Sequence, residues 1–303
     1  MTLARFILRS SITGAALLAA SGMALAHVSL PAGGGNVNAL YEAAFHVGHA
    51  CKDAKYTTTI EVELPGSFQF REAVARPGWK LSAPTAGSQG GNVRWTAESP
   101  STALPDAEKA LFAVRGVLPS TPQTLYFPVH QICDVNRADW TQIPTAADAG
   151  QKLASPAARL EVLADSVAPV DIQDAWVRAA VTGQSGTGAF MTLQAPAGAK
   201  LVAASSPAAG IVEIHEMKLE GDVMRMRAMK QLDLPAAQKV TLAPGAMHLM
   251  MMDLKQPITA GQSIAFTLTF EDANGKRRER TVQAQVRQGV AAQAAPHGGQ
   301  HHH

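Results

Sequence analysis

Residues 211–229 read IVEIHEMKLEGDVMRMRAM. Two runs of alternating character, Ile211–Leu219 and Asp222–Met229, flank the dipeptide Glu220-Gly221. This arrangement predicts a β-hairpin closed by a two-residue turn. Residues that oppose each other in such a hairpin have Cβ atoms about 4.5–5.5 Å apart, so two opposed side chains can reach one ion. The predicted opposed pairs are His215 with Met226 and Met217 with Met224.

The same segment extends into a methionine-rich region, because His215–Met252 contains eight of the protein's eleven methionines. His248 and Met250 are two residues apart, so on a strand they face the same side. Thioether sulfur is a soft ligand and imidazole a borderline one, and together they suit Cu(I) better than zinc, calcium or magnesium. The predicted Cu(I) ligands are His215, Met226, His248 and Met250. The other methionines are predicted to fill core gaps: Met217, Met224, Met229, Met247, Met251 and Met252.

The spacing of these ligands resembles the signature of the PCuAC family of periplasmic copper chaperones. Ten residues separate His215 from Met226, twenty-one separate Met226 from His248, and one separates His248 from Met250. The resemblance covers residues 171–287. It includes the opening IQDAWVR (172–178) and the run PGAMHLM (244–250).

This resemblance implies a β-sandwich of cupredoxin-like shape that binds Cu(I) near its surface. Family members are linked to copper supply for the CuA centre of cytochrome c oxidase. One departure is Glu216, where some members carry methionine directly after the first histidine. Its side chain is predicted to point to the opposite face of the strand, so the departure is expected to cost little.

The whole chain is predicted to be all-β. It has 303 residues, enough for two domains, and its net charge of +2 creates no field that would attract nucleic acid. Period-two alternation recurs, as in Ile60, Val62 and Leu64 or in the run Ser263–Phe270, and Pro65-Gly66 and Asn274-Gly275 are predicted turns. The predicted domains are residues 27–164 and 171–288, joined by a short linker, 165–170, that would tether the two metal sites.

The first 26 residues are predicted to be an export signal. Arg5 and Arg9 precede an apolar, small-residue run, and Ala24-Leu25-Ala26 fits the rule for cleavage after Ala26. Cleavage would leave a periplasmic protein without a membrane span in its mature form. In an oxidising compartment Cys51 and Cys133, the only two cysteines, are expected to form a disulfide. The alternative, two thiolates on copper, would need a reducing setting.

Cleavage would also make His27 the first residue, whose α-amine and imidazole Nδ1 can chelate one Cu(II) ion. The segment that follows resembles the YcnI-like copper-binding family over nearly the whole first domain. The residues that carry this resemblance are HVSLP (27–31), HAC (49–51), YTT (56–58), RPGW (76–79), LYFPV (125–129), QIC (131–133), Trp140 and IP (143–144).

That resemblance implies a second β-sandwich that binds Cu(II) through His27, Asp53 and Trp140. Asp53 is the weakest match, because Lys52 is inserted after Cys51 relative to the common pattern. Three further histidines, His46, His49 and His130, are either extra ligands or polar surface residues near the disulfide. The tail, 289–303, lacks the apolar content to fold, and its His297, His301, His302 and His303 are expected to capture metal weakly.

Together these features indicate a copper metallochaperone of two tandem β-sandwiches of cupredoxin or immunoglobulin type. It would hold Cu(I) in the second domain and Cu(II) in the first, and would not be an enzyme. Its expected partner is a copper-accepting protein, such as a cytochrome c oxidase subunit or another copper chaperone. Two alternatives remain: a copper-tolerance buffer, and an oxidative enzyme that activates oxygen at the copper of an N-terminal histidine.

Overall fold

The computed structural model describes residues 27–181, 183–220 and 223–288, with the side chains of residues 219 and 220 excepted. The predicted signal (1–26) and histidine-containing tail (289–303) lie outside the described residues. Within these ranges the chain forms twenty-one strands, one 3-10 turn at Ala146–Asp148 and no α-helix. No helix in the described part of the chain is long and apolar enough to cross a membrane. The prediction of an all-β chain with two β-sandwich domains is confirmed.

The first domain contains an eight-stranded sheet and a three-stranded sheet, the latter in the order β1-β11-β8. The strands are β1 (Gly35–Asn36), β2 (Leu40–Val47), β3 (Tyr56–Ala73), β4 (Trp79–Ser82), β5 (Gln89–Ala97), β6 (Leu104–Pro105), β7 (Ala110–Val117), β8 (Gln123–Phe127), β9 (Val129–Cys133), β10 (Arg137–Trp140) and β11 (Ala158–Leu163).

The long strand β3 runs through the centre of the eight-stranded sheet and pairs with β5, β6, β7 and β9. Its alternating Ile60, Val62 and Leu64 are buried, as period-two patterning predicts. The prediction of a turn at Pro65-Gly66 was wrong. The strand continues through these residues, and its register against β5 shifts between Leu64 and Gln69, as at a β-bulge. A bulge accommodates proline and glycine because it removes ladder hydrogen bonds locally.

The predicted disulfide is present. Cys51 and Cys133 are bonded with their Cα atoms 6.0 Å apart, and both are buried. The bond links residues 82 positions apart, and closing a loop of that length stabilises the fold by about 4–5 kcal/mol in the chain-entropy description. It joins the loop after β2 to the end of β9.

The second domain is one ten-stranded sheet that encloses its own core, in the order β16-β15-β19-β13-β12-β21-β20-β14-β17, with β18 paired to β13. The strands are β12 (Asp171–Arg178), β13 (Gly186–Gln194), β14 (Ala199–Ser205), β15 (Ala209–Glu220), β16 (Val223–Met229), β17 (Leu232–Leu234), β18 (Lys239–Leu242), β19 (His248–Leu254), β20 (Ser263–Glu271) and β21 (Arg277–Arg287). The predicted Asn274-Gly275 turn lies between β20 and β21, with Gly275 at φ 78°.

The segment between the domains is bonded to both of them rather than being a free tether. The Asn36 side chain of the first domain donates to the carbonyls of Ala164 and Val167, both at 2.8 Å. Asp165 pairs with Lys276 Nζ of the second domain at 2.7 Å. The linker is therefore held by side-chain hydrogen bonds from both domains, where the sequence predicted only a short tether.

His130, one of the three uncertain histidines of the first domain, lies between two carboxylates. Its Nδ1 is 2.5 Å from Asp139 Oδ1 and its Nε2 is 2.8 Å from Glu63 Oε1. A ring that donates from both nitrogens is a protonated imidazolium and has no lone pair left for a metal. Burial lowers the pKa of His130, but the hydrogen bonds to Asp139 and Glu63 outweigh it and raise this pKa above its ordinary value of 6.5. Arg137, which also bonds Asp139, shares the cluster.

We predict that His130→Gln destabilises the protein most at mildly acidic pH. A folded-state pKa raised above 6.5 contributes stability that is fully present below that value and is lost as the pH rises through the folded pKa. Denaturant unfolding of the wild type and the variant between about pH 5 and 9 should show a stability difference that shrinks as the pH rises. A difference that stays constant over this range would contradict the ion-pair account.

Candidate metal centre

The β15–β16 hairpin has a register two residues away from the predicted one. Met217 opposes Met226, and His215 opposes Ala228, whereas the turn predicted at Glu220-Gly221 would have paired His215 with Met226. Paired strands end at Glu220 and begin at Val223, so the two connecting residues are Gly221-Asp222. In the sequence, a Gly-Asp dipeptide between two alternating runs is itself a hairpin signal, and this was the signal missed.

A slip of two residues preserves the face on which each side chain lies, because the strand period is two. His215 therefore remains on the same face of the sheet as Met226. On its other edge, β15 pairs with β19. Across β19, His215 directly opposes His248, with the two ring centroids 5.8 Å apart. Glu213 opposes Met250 in the same ladder.

A cavity of about 270 Å³ opens on this face of the sheet. Three thioethers and one imidazole line it: Met217, Met226, Met250 and His248. Phe190 forms part of the wall, and its ring packs on Trp176 with centroids 4.4 Å apart. His215 lies beside the cavity, where its ring packs against the His248 ring. The structure therefore brings three of the predicted Cu(I) ligands to one cavity and places the fourth beside it.

The hydrogen bonds of the two imidazoles determine which nitrogens are available. His248 Nδ1 lies 3.0 Å from the carbonyl oxygen of Ala246, to which only a protonated nitrogen can bond, so a neutral ring keeps its lone pair on Nε2. His215 Nε2 lies 2.8 Å from Glu213 Oε2, and its Nδ1 is buried without a hydrogen-bond partner. A buried polar atom without a partner is costly, and a metal ion would satisfy it.

Two glycines of β13 lie opposite the methionines of β19. Gly186 and Gly188 oppose Met252 and Met250 in the ladder. A Cβ on Gly186 would lie 2.8 Å from the Met251 carbonyl oxygen and 2.9 Å from Met250 Cε. A side chain at 186 would therefore force the β19 backbone at Met251 to shift and the Met250 methyl group to move.

The methionines predicted to fill the core differ in where they lie. Met251 is fully buried, and Met229 and Met247 pack against the core, as predicted. Met224 is 48% exposed, so for that residue the prediction was wrong. Met217 is half-buried and faces the cavity, since it lies on the same face as the ligands.

In the first domain the structure brings His27 and Trp140 together. Their ring centroids are 5.5 Å apart in an edge-to-face arrangement, and Trp140 Nε1 donates to Gln131 Oε1 at 3.3 Å. His27 Nε2 is buried without a hydrogen-bond partner. Asp53 is exposed in the left-handed backbone region, φ 65°, and no contact joins it to His27 or Trp140 among the described residues. The role of Asp53 as a ligand in this site stays a prediction.

Clusters of three or more His, Cys, Asp or Glu side chains that could hold a metal ion do not occur in the described part of the chain. The donor group in the second domain is instead built from two imidazoles and several thioethers. Such a mixed nitrogen and sulfur set is typical of a copper site.

Two family models match the chain in succession. Residues 27–162 match "Domain of unknown function (DUF1775)", and residues 170–286 match "Putative lipoprotein LpqE-like". One curated relative, "Putative lipoprotein Lxx21020" of Leifsonia xyli subsp. xyli, is 35% identical over 106 residues, which are 35% of this chain. The match spans 64% of that relative's length.

Two solved structures are similar to part of the chain. The copper-bound PCuAC domain from PmoF2 is 25% identical, with a TM-score of 0.34, and the match covers 41% of this chain and 96% of that domain. The solution structure of CuI-DR1885 from Deinococcus radiodurans is 29% identical, with a TM-score of 0.33, and the match covers 42% of this chain and 83% of that one. From the two family matches, the chain joins an N-terminal DUF1775 (YcnI-like) domain to a C-terminal LpqE-like (PCuAC) domain, which confirms the resemblances identified in its sequence.

Proposed function

We propose that this protein is an exported copper metallochaperone that carries Cu(I) on His215, Met226, His248 and Met250. The observation that carries the proposal is the cavity lined by His248, Met226 and Met250, with the His215 ring packed against His248 on the same face of the sheet. The family of the second domain supports an exported protein, because its members are described as lipoproteins.

The charge of the ligand set favours a monovalent ion. Neutral imidazoles and thioethers add no negative charge, and soft sulfur selects Cu(I) over hard divalent cations. The Glu213 carboxylate is engaged by its hydrogen bond with His215 Nε2 and orients that ring with Nδ1 free. His248 would contribute Nε2, because Ala246 holds its Nδ1.

Release of the ion would begin at the most exposed ligand. Met226 is 48% exposed on the edge strand β16, whereas His215 and His248 are buried. An acceptor protein can therefore approach Met226 first and replace the ligands one at a time. The proposed acceptor is a copper-binding protein such as the CuA-bearing subunit of cytochrome c oxidase, or another copper chaperone.

The first domain would bind Cu(II) at the mature N-terminus, through the α-amine and Nδ1 of His27. The edge-to-face packing on Trp140 supports this role, because it fixes the imidazole beside the start of the mature chain. Asp53 would complete the site as an oxygen ligand. An oxidative copper enzyme would complete the chelate with a second imidazole. The ring that packs on His27 here belongs to Trp140, which favours a binding site over an enzyme.

The Cu(I) site is tested by replacing two thioethers. Met226→Ala/Met250→Ala should weaken Cu(I) binding by at least about 100-fold, because two of four ligands are lost, whereas loss of an outer-shell partner alone costs about 10–100-fold. Anaerobic competition with a chromophoric Cu(I) chelator measures this change. Met224→Ala is the matched control, since Met224 is exposed to the same extent. A double variant with wild-type affinity would refute the proposed site.

The space for Met250 is tested by Gly186→Ala. The added methyl group would meet the Met251 carbonyl and displace Met250, so the variant should lose about 1–3 kcal/mol of stability and bind Cu(I) more weakly. Gly66→Ala is the control, because a Cβ there would meet no atom within 4 Å. Thermal melting and the same competition titration would show both effects, and an unchanged Cu(I) affinity would show that the position of Met250 does not matter.

The Cu(II) site depends on a free amine at His27. A chain that begins at His27 should bind one Cu(II) with nitrogen and oxygen ligands, visible by electron paramagnetic resonance. His27→Ala should abolish that signal, and so should a chain that begins at Ala26, which keeps the imidazole but moves the amine. If the chain with Ala26 kept the signal, the amine would not be a ligand.

A further inference from the structure

Met217 is a thioether in the cavity that the predicted ligand set does not use. It lies on β15 and directly opposes Met226 on β16. Opposed residues in an antiparallel pair have Cβ atoms about 4.5–5.5 Å apart, so the two flexible side chains can reach the same point. Both line the cavity that His248 and Met250 also line.

The two opposed methionines differ in exposure. Met226 lies on the outermost strand of the sheet and is 48% exposed, whereas Met217 lies on the next strand inward and is half-buried. A residue that only filled the core would belong to the buried cluster, as Met251 does. Met217 instead faces the cavity beneath the thioether that an acceptor would meet first.

We propose that Met217 is a fifth soft ligand of this cavity, which takes over the ion from Met226 while Met226 is engaged by the acceptor. The inference rests on the proposed Cu(I) function of the same site. The exchange replaces one neutral thioether by another, so the charge of the site and the oxidation state of copper do not change. The ion keeps four protein ligands, His215, His248, Met250 and one of the two methionines, until the acceptor supplies its own.

The contribution of Met217 can be separated from its packing by leucine substitution, because Leu and Met have similar volumes and only the sulfur is lost. The test compares Met226→Leu, Met217→Leu and the double variant with the wild type. The control is Met224→Leu with Met226→Leu, since Met224 lies on the same face but does not line the cavity. Anaerobic Cu(I) competition gives the affinity, and X-ray absorption gives the number of sulfur ligands.

Met226→Leu should lower the Cu(I) affinity by only about tenfold and retain two sulfur ligands, because Met217 replaces Met226. Met217→Leu/Met226→Leu should lose a sulfur ligand and at least about a further tenfold in affinity, more than the sum of the two single changes. The Met224→Leu/Met226→Leu control should behave as Met226→Leu alone. In protein labelled with methyl-¹³C methionine, the Met217 methyl resonance of Met226→Leu should shift on addition of Cu(I).

The inference is overturned if the Met217→Leu/Met226→Leu variant matches Met226→Leu in both affinity and sulfur count. In that case the wild type would still bind Cu(I) through the four proposed ligands, and the proposed function would stand. If the wild type itself bound no Cu(I), the proposed function would fail, and the role of Met217 would fail with it.

Discussion

The pairing of β15 with β19 is the constraint on which the metal centre depends. It sets His215 directly against His248 and Glu213 against Met250, and it fixes which side chains share the cavity face. Because side chains alternate along a strand, a shift of one residue would move every donor on β15 to the opposite face. Gly186 of β13 leaves space for the Met250 side chain, since a Cβ at position 186 would lie 2.9 Å from Met250 Cε.

Neighbouring side chains on β19 serve different purposes, one the stability of the core and the next the proposed binding site. Met251 is fully buried, while its neighbour Met250 faces the cavity, so adjacent methionines on one strand belong to the core and to the site. The hydrogen bonds of Glu213 and Ala246 hold the two imidazoles with one nitrogen each left available. A site prepared in this way needs little rearrangement to accept an ion, and its exposed methionine offers an acceptor the first point of contact.

The all-β fold, the disulfide and the face shared by the donors could be predicted from the sequence, because period-two patterning and cysteine count report on local or pairwise constraints. The register of the β15–β16 hairpin was predicted two residues away from the observed one, since both Glu220-Gly221 and Gly221-Asp222 carry a hairpin signal in the sequence. The packing of the linker was also missed, because the bonds from Asn36 and Lys276 join residues more than a hundred positions apart. Met217 was assigned to the core with the other methionines outside the ligand spacing, whereas the observed register sets it opposite Met226.

The most direct test of the central claim is copper X-ray absorption on the chain that begins at His27, loaded with copper and measured in both oxidation states. The account predicts two environments: Cu(I) bound by a mixture of nitrogen and sulfur in the second domain, and Cu(II) bound by nitrogen and oxygen in the first. A Cu(I) spectrum without any sulfur scattering would contradict the assignment of the methionine-lined cavity as the copper site.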